Sequence, residues 1–173
     1  ARAALEILPI INYYPDIIHC NDWQTALLPT YYHLFYSQIP GYQNMKTVLT
    51  IHNIQYQGQY GQEVLEDVLG IPFESRSLLE NGDAINILKG GIETAHAVTT
   101  VSPTYAGEIL DPWFSYGLDS ILKERSWKLR GIINGIDVEV YNPETDPMIF
   151  KNFTVDTLAD KAINKSELQK QVG

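Results

Sequence analysis

Short apolar runs alternate with segments of helical periodicity along most of this chain. Four runs are brief and rich in β-branched residues, as expected of buried strands: DIIHC (16–20), KTVLTIH (46–52), AVTTV (97–101) and LRGIIN (129–134). Between strands, apolar side chains recur at helical spacing in WQTALLPTYYHLFYSQ (23–38) and AINILKGGIETAH (84–96). This alternation predicts βαβ units and therefore a doubly wound, mostly parallel α/β sheet.

Three local signals refine the two long helical segments. Asp22 could cap a helix that begins at Trp23, although Pro29 removes one backbone hydrogen bond inside that helix. The pair Gly90-Gly91 lies within the second segment, where each glycine costs about 1 kcal/mol relative to alanine. That cost indicates either close backbone packing at this pair or the approach of a ligand.

Composition excludes several classes of function. A net charge of −9 argues against nucleic-acid binding, which needs a basic surface. No apolar run approaches the roughly 18–20 residues that cross a membrane. The single cysteine, Cys20, has no partner for an internal disulfide, and no CxxC or His/Cys cluster suggests a metal site. We expect Cys20 to be an inert core residue in a protein from a reducing, cytoplasmic setting.

Polar residues follow three of the predicted strands. They occupy His19 to Asp22, His52 to Gly58, and Asn134 to Asp137. In a doubly wound sheet, ligands bind at the carboxyl ends of the strands. These three segments are therefore the candidate site. Neither GxGxxG nor GxxxxGK[ST] occurs in the chain, so no glycine-rich phosphate loop accompanies them.

Each candidate also has a purely structural interpretation. His52 could be a satisfied core histidine, but the hydrogen-bonding loop that follows it, with Asn53 and Gln57, suits a ligand of many hydroxyls. Asp22 could cap its helix, contact a ligand, or do both. The pair Asn134-Gly135 is primarily a turn signal, although Asn134 could present its amide to a ligand.

Five segments together resemble the family of bacterial glycogen synthases and plant starch synthases. They occur in the family's order and cover nearly the whole chain: PDIIHCNDWQTALLP, TVLTIHNIQYQG, INILKGGIETAHAVTTVSPTYAGEI, YGLDSIL and INGIDVEVYNPETD. The resemblance implies the GT-B architecture, in which two Rossmann-like domains face each other across a cleft. It also implies transfer of glucose from ADP-glucose, or in some members UDP-glucose, to the non-reducing end of an α-1,4-glucan. Anomeric configuration is retained in this family, and neither a metal nor another cofactor is needed.

The resemblance also implies roles for individual residues. It places His52 against the donor glucose as the catalytic candidate, where an imidazole would position the sugar rather than act as nucleophile or general base. Asp22 would face the cleft on the acceptor side, and Asn134 would reach the sugar. Asn53 and Gln57 share the loop of His52 and are further substrate-binding candidates.

This sequence differs from the family's pattern in two ways, and both bear on which residue roles can be transferred to it. Many members of the family carry histidines before and after the Asp-Trp pair, where this chain has Asn21 and Gln24. The contacts of those histidines therefore cannot be transferred. The family's lysine- and glycine-rich KxGGL loop, and the second domain with its cations, are also expected to lie outside these 173 residues.

We therefore expect a fragment of such an enzyme. Residues 1–150 would be the later part of the N-terminal, acceptor-side domain, and residues 151–173 a linker and the start of a helix leading into the C-terminal domain. Alone, the fragment would not catalyse, and its uncovered sheet edges could promote self-association. The alternative is a non-catalytic carbohydrate-binding or scaffold module.

Overall fold

The computed structural model describes residues 1–173, whose helices and strands follow the alternation in the sequence. In chain order they are α1 (Arg2–Ile10), β1 (Ile17–Asn21), α2 (Asp22–Tyr31), β2 (Lys46–Ile51), β3 (Gln59–Tyr60), α3 (Val64–Asp67), β4 (Glu80–Asn81), β5 (Ala84–Asn86), α4 (Ile87–Thr94), β6 (Ala97–Thr100), α5 (Pro103–Glu108), α6 (Pro112–Ser115), α7 (Asp119–Glu124), β7 (Leu129–Gly131) and α8 (Lys161–Val172). Contacts divide the chain into two units, 1–133 and 134–173. No helix combines the length and the apolarity needed to cross a membrane.

A four-stranded parallel sheet is the centre of the first unit. Its strands lie in the order β1-β2-β6-β7, and all three pairings are parallel. The inner strand β2 buries Leu49 and Ile51 completely, and these two side chains lie on the same face of the sheet. The predicted mostly parallel α/β sheet is confirmed, with each of the four predicted strands in place.

Helices α2 and α4 pack against each other at a glycine. A Cβ at Gly91 would lie 2.7 Å from the Cβ of Ala26 and 2.9 Å from its carbonyl oxygen. The prediction of close backbone packing at the glycine pair is therefore correct, and the neighbour is protein rather than ligand. The apolar face of α4 is buried here, with Leu88 and Ile92 fully inaccessible to solvent.

A buried lysine holds the carboxyl end of α4. Nζ of Lys128 donates to the carbonyl oxygens of Glu93 at 2.9 Å and Ala95 at 2.6 Å. Burial lowers the pKa of Lys128 from 10.5 to about 8, with nearby Arg125 acting in the same direction. These carbonyls have no partner within the helix, so the ammonium group takes the place of the next turn.

The first predicted helix is shorter than expected. We predicted a helix over residues 23–38, but α2 ends at Tyr31 and a π-helical turn follows over Tyr32–Tyr36. Pro29 lies two residues before this end and has no N–H to donate within the helix. The second predicted helix also begins late, because residues Ala84–Asn86 pair as β5 in a small antiparallel sheet of order β3-β5-β4.

The second unit, residues 134–173, contains no buried side chain. Local hydrogen bonds organise it. For example, Asn164 accepts from the N–H of Lys151 at 2.9 Å and donates to its carbonyl oxygen at 2.7 Å. The exposed helix predicted near the end of the chain is α8. The unit defined by contacts begins at Asn134, but contacts alone do not identify a linker. The predicted boundary between domain and linker at residue 150 therefore stays a prediction.

Candidate functional site

The carboxyl ends of β1 and β2 meet at one edge of the parallel sheet. In the register of this pair, Asn21 lies opposite Thr50. The residues that follow each strand, Asp22 on one side and His52 on the other, are therefore neighbours across the edge. The sheet thus brings together two candidates that are 30 residues apart in sequence.

Asp22 links the two strand ends. One oxygen of its carboxylate, Oδ1, accepts from the backbone N–H of His52 at 2.7 Å and from that of Asn53 at 3.4 Å. Its backbone is left-handed, with φ of 54°. This conformation is uncommon for a residue other than glycine, although aspartate tolerates it better than most.

Of the roles that the sequence leaves open for Asp22, the capping of α2 is excluded. The residue at the cap position is Asn21, and no side chain accepts a capping hydrogen bond at this helix start. The carboxylate of Asp22 instead bonds the backbone of the neighbouring strand end. A left-handed backbone costs about 1–3 kcal/mol for a residue other than glycine. Residues strained in this way are found mainly at functional sites of proteins.

His52 is exposed at the end of β2 and is not a core residue. Its backbone N–H is held by Asp22, and Nε2 of its ring lies 3.0 Å from Oδ1 of Asn21. The ring is therefore held at the edge of the sheet while remaining open to solvent. Of the two interpretations of this histidine, the structure excludes the buried one.

Gln57 occupies the interior instead of the site. Its side chain is 4% exposed, and Nε2 donates to the carbonyl oxygens of Ile54 at 3.0 Å and Tyr116 at 3.2 Å. Its Oε1 accepts from Asn86 at 2.6 Å and from Gln59 at 2.8 Å. The two donors and two acceptor positions of the amide are all used within the protein. Its position therefore gives no support to the expected contact between Gln57 and a ligand.

The loop that follows His52 is hydrogen-bonded to the start of α4. The N–H groups of Ile87 and Leu88 donate to the carbonyl oxygens of Gly58 and Gln57, each at 3.0 Å. Asn86 completes the helix start, since its Oδ1 accepts from the N–H of Lys89 at 3.0 Å. The loop after His52 therefore follows a path determined by buried hydrogen bonds.

Trp23 packs on the backbone of this loop. Gly58 has a φ of 64°, and a Cβ there would lie 2.3 Å from the indole ring of Trp23. Trp23 is thus a packing residue. A cavity of about 310 Å³ opens beside it, lined by aromatic and polar side chains and by the glycine: Trp23, Gln55, Tyr56, Gln57, Gly58 and Gln59.

The remaining candidates are exposed. Oδ1 of Asn53 accepts from the N–H of Gln55 at 3.0 Å, which shapes the turn after His52. Asn134 belongs to the second unit, and residues 132–137 have no regular structure. The turn expected at Asn134-Gly135 is absent, and Gly135 lacks the left-handed backbone that such a turn requires.

Sequence reasoning missed two polar contacts at this edge. Nε2 of His19 lies 2.6 Å from Oγ1 of Thr50, which lies 2.6 Å from Oγ1 of Thr99, so a line of hydrogen bonds crosses three strands. The second missed contact is the one between Oδ1 of Asn21 and the His52 ring. Period-two alternation along β1 could have suggested His19 and Asn21 as one face, but their partners depend on the register of the sheet.

The polar side chains described at this edge form hydrogen bonds with the protein. Burial raises the pKa of the Cys20 thiol to about 11, so this neighbour of Asn21 stays protonated. No group of three or more His, Cys, Asp or Glu side chains lies close enough together to hold a metal ion.

This fold and edge define a class of protein. Hydrogen-bonding side chains gathered at the carboxyl ends of neighbouring parallel strands form the ligand-binding edge of Rossmann-like α/β proteins. Aromatic surface and amide groups in the adjoining loop suit a hydroxyl-rich ligand.

Comparison with known proteins identifies the family within this class of α/β proteins. The family model described as "Starch synthase catalytic domain" matches residues 1–124. The glycogen synthases of Clostridium perfringens (strain 13 / Type A) and Desulforamulus reducens are each 46% identical to the chain, over 99% and 98% of its length. A solved structure of the catalytic domain of starch synthase IV from Arabidopsis thaliana, bound to ADP and acarbose, matches 99% of the chain at 39% identity with a TM-score of 0.76.

The chain belongs to the starch synthase catalytic domain family. The resemblance recognised in its motifs and the predicted fold class are both confirmed. The chain spans about 36% of the length of these two glycogen synthases, and the same share of the starch synthase IV chain.

Proposed function

We propose that this chain forms the sugar and acceptor side of the cleft in a retaining glucosyltransferase. The enzyme would transfer glucose from ADP-glucose to the non-reducing end of an α-1,4-glucan, as a glycogen or starch synthase. The observation that carries the proposal is the exposed His52 ring, held at the carboxyl edge of the sheet in a chain of this family. The names of the relatives and the ADP and acarbose bound to starch synthase IV support this substrate class.

His52 would act by positioning. An imidazole at the strand end can hydrogen-bond a glucose hydroxyl and orient the anomeric carbon toward the acceptor, and correct orientation is a large part of catalysis. Asp22 would contribute by holding the backbone of His52, and Asn53 and Asn134 remain candidates for direct sugar contact. No metal or other cofactor is required in this scheme, and the setting would be cytoplasmic.

The 173 residues alone should not transfer glucose. A leaving diphosphate needs cationic groups and backbone donors aimed at it. This chain has no glycine-rich phosphate loop and carries a net charge of −9. Self-association of the isolated chain is a further expectation, because β1 and β7 form the two edges of its parallel sheet.

The test is glucosyl transfer from ADP-glucose to glycogen by the full-length enzyme that contains this chain. Parent, His52→Ala and His33→Ala proteins would be compared, since His33 is also exposed but lies outside the strand-end residues. We expect His52→Ala to lower kcat by about 100-fold or more and His33→Ala to leave it unchanged. Equal activities in all three would remove His52 from the site. Glucan binding without transfer from ADP- or UDP-glucose would favour the carbohydrate-binding alternative.

A further inference from the structure

Two consecutive residues at the end of β1, Asn21 and Asp22, both contact His52. Asp22 accepts from the backbone N–H of His52, while Oδ1 of Asn21 lies 3.0 Å from Nε2 of the ring. The first contact locates the backbone, and the second fixes the rotation of the ring. The sequence places Asn21 in the polar segment at the end of β1, but it does not reveal this contact with the ring.

Asn21 is itself held from both sides. Its N–H donates to Oγ1 of Thr25 at 2.6 Å, and the Thr25 hydroxyl donates back to the Asn21 carbonyl at 2.7 Å. It is also the last residue of β1, in register with Thr50 of the neighbouring strand. A side chain carried by such a fixed backbone can position its partner accurately.

The contact determines which ring nitrogen carries the proton. An amide oxygen only accepts hydrogen bonds, so Nε2 must be the donor in this pair. A neutral imidazole has a single N–H, and the other nitrogen is then an acceptor. Nδ1 of His52 makes no hydrogen bond within the protein and is left with its lone pair available.

We propose that Asn21 is a positioning residue that holds His52 in the Nε2–H tautomer, so that Nδ1 accepts a hydrogen bond from a ligand hydroxyl. The identity of that hydroxyl as a sugar group rests on the proposed function, whereas the tautomer does not. A deoxy sugar or a methyl ether at this position would lack the donor that Nδ1 requires. Asn21 would therefore contribute to selection of an unmodified sugar.

The tautomer can be measured directly on the 173-residue chain. Nitrogen-15 NMR of the histidine rings separates a protonated, pyrrole-type nitrogen from an unprotonated, pyridine-type one, at a pH where the ring is neutral. We expect pyrrole-type Nε2 and pyridine-type Nδ1 in the parent. In Asn21→Ala the ratio of Nε2–H to Nδ1–H should fall about 3- to 10-fold, the range expected for one ordinary hydrogen bond.

Two further variants complete the comparison. Asn21→Asp keeps an acceptor oxygen at the same place and should restore the parent tautomer. Asn53→Ala alters a neighbour whose side chain bonds only the loop, so it should leave the His52 ring unchanged. A pyridine-type Nε2 in the parent, or identical spectra for parent and Asn21→Ala, would overturn the assignment.

Kinetics of the full-length enzyme separate the tautomer assignment from the proposed function. With ADP-glucose and glycogen, Asn21→Ala should lower kcat/KM about 3- to 10-fold and Asn21→Asp should recover most of the loss. A loss of activity without a change of tautomer would refute the positioning role of Asn21. Absence of transfer in the parent would refute the proposed function and leave the NMR result standing.

Discussion

Replacement of Gly91 by alanine tests the close packing of α2 and α4. In an open helix this change stabilises by about 1 kcal/mol, because alanine is the better helix former. At this position the new Cβ would lie 2.7 Å from the Cβ of Ala26, 2.9 Å from its carbonyl oxygen and 2.9 Å from Cδ2 of Leu49. A backbone oxygen cannot rotate away as a side chain can, so the two helices must separate.

The expected magnitude follows from these two opposing effects. Overpacking of a filled core costs about 1–3 kcal/mol, and the backbone contact favours the upper part of that range. After subtraction of the helix-propensity gain, Gly91→Ala should lower the free energy of unfolding by about 1–2 kcal/mol. Gly107 in α5 provides the control, because a Cβ there meets nothing within 4 Å. Gly107→Ala should therefore stabilise by about 0.5–1 kcal/mol.

Urea unfolding of the parent and both variants, followed by circular dichroism and tryptophan fluorescence, measures these differences. The midpoints should shift in opposite directions while the m-values stay equal. If Gly91→Ala proved as stable as Gly107→Ala, the helices would have to be less tightly packed than the structure indicates, and the reasoning would fail.

Three other residues give independent tests. The folded pKa of Lys128, about 8, lies below its ordinary value of 10.5, so the folded state binds fewer protons and stability should rise by about 2 kcal/mol between pH 8 and 10. This rise should be missing from urea titrations of Lys128→Met. Gln57→Leu should destabilise by about 2–4 kcal/mol in the same assay, because the buried Asn86 amide and two carbonyl groups lose their partner. Cys20 is 3% exposed with a raised pKa, so a thiol reagent should label it only after urea unfolds the chain, and rapid labelling of the native protein would contradict its burial.

The fold was largely predictable because its strands are local apolar runs. KTVLTIH and AVTTV are short runs rich in β-branched residues, and both form inner strands of the parallel sheet. The small antiparallel sheet escaped prediction because β3 and β4 have two residues each. Strands of that length form only through their tertiary partners, and no local pattern identifies them.

The position of the candidate site was predictable from the sequence, but the contacts of its side chains were not. Strand ends followed by polar residues correctly indicated His52 and Asp22 as neighbours. The left-handed backbone of Asp22 is a conformational choice that residue type alone does not reveal, so the sequence left open whether its carboxylate caps α2. Gln57 appeared available to a ligand because its carbonyl partner Tyr116 is distant in sequence. Both side chains are held by tertiary hydrogen bonds that the sequence does not show.

The strand order of the parallel sheet has a consequence for how the chain can fold. Each new strand of the order β1-β2-β6-β7 is added at one side of the strands that precede it in the chain. No strand has to be inserted between two that are already paired. These four strands can therefore be added in one direction as the chain leaves the ribosome, and the unit β1-α2-β2, which carries Asn21, Asp22 and His52, can form before β6 and β7 pair with it. The strand-end contacts would then exist before β6 and β7 are synthesised.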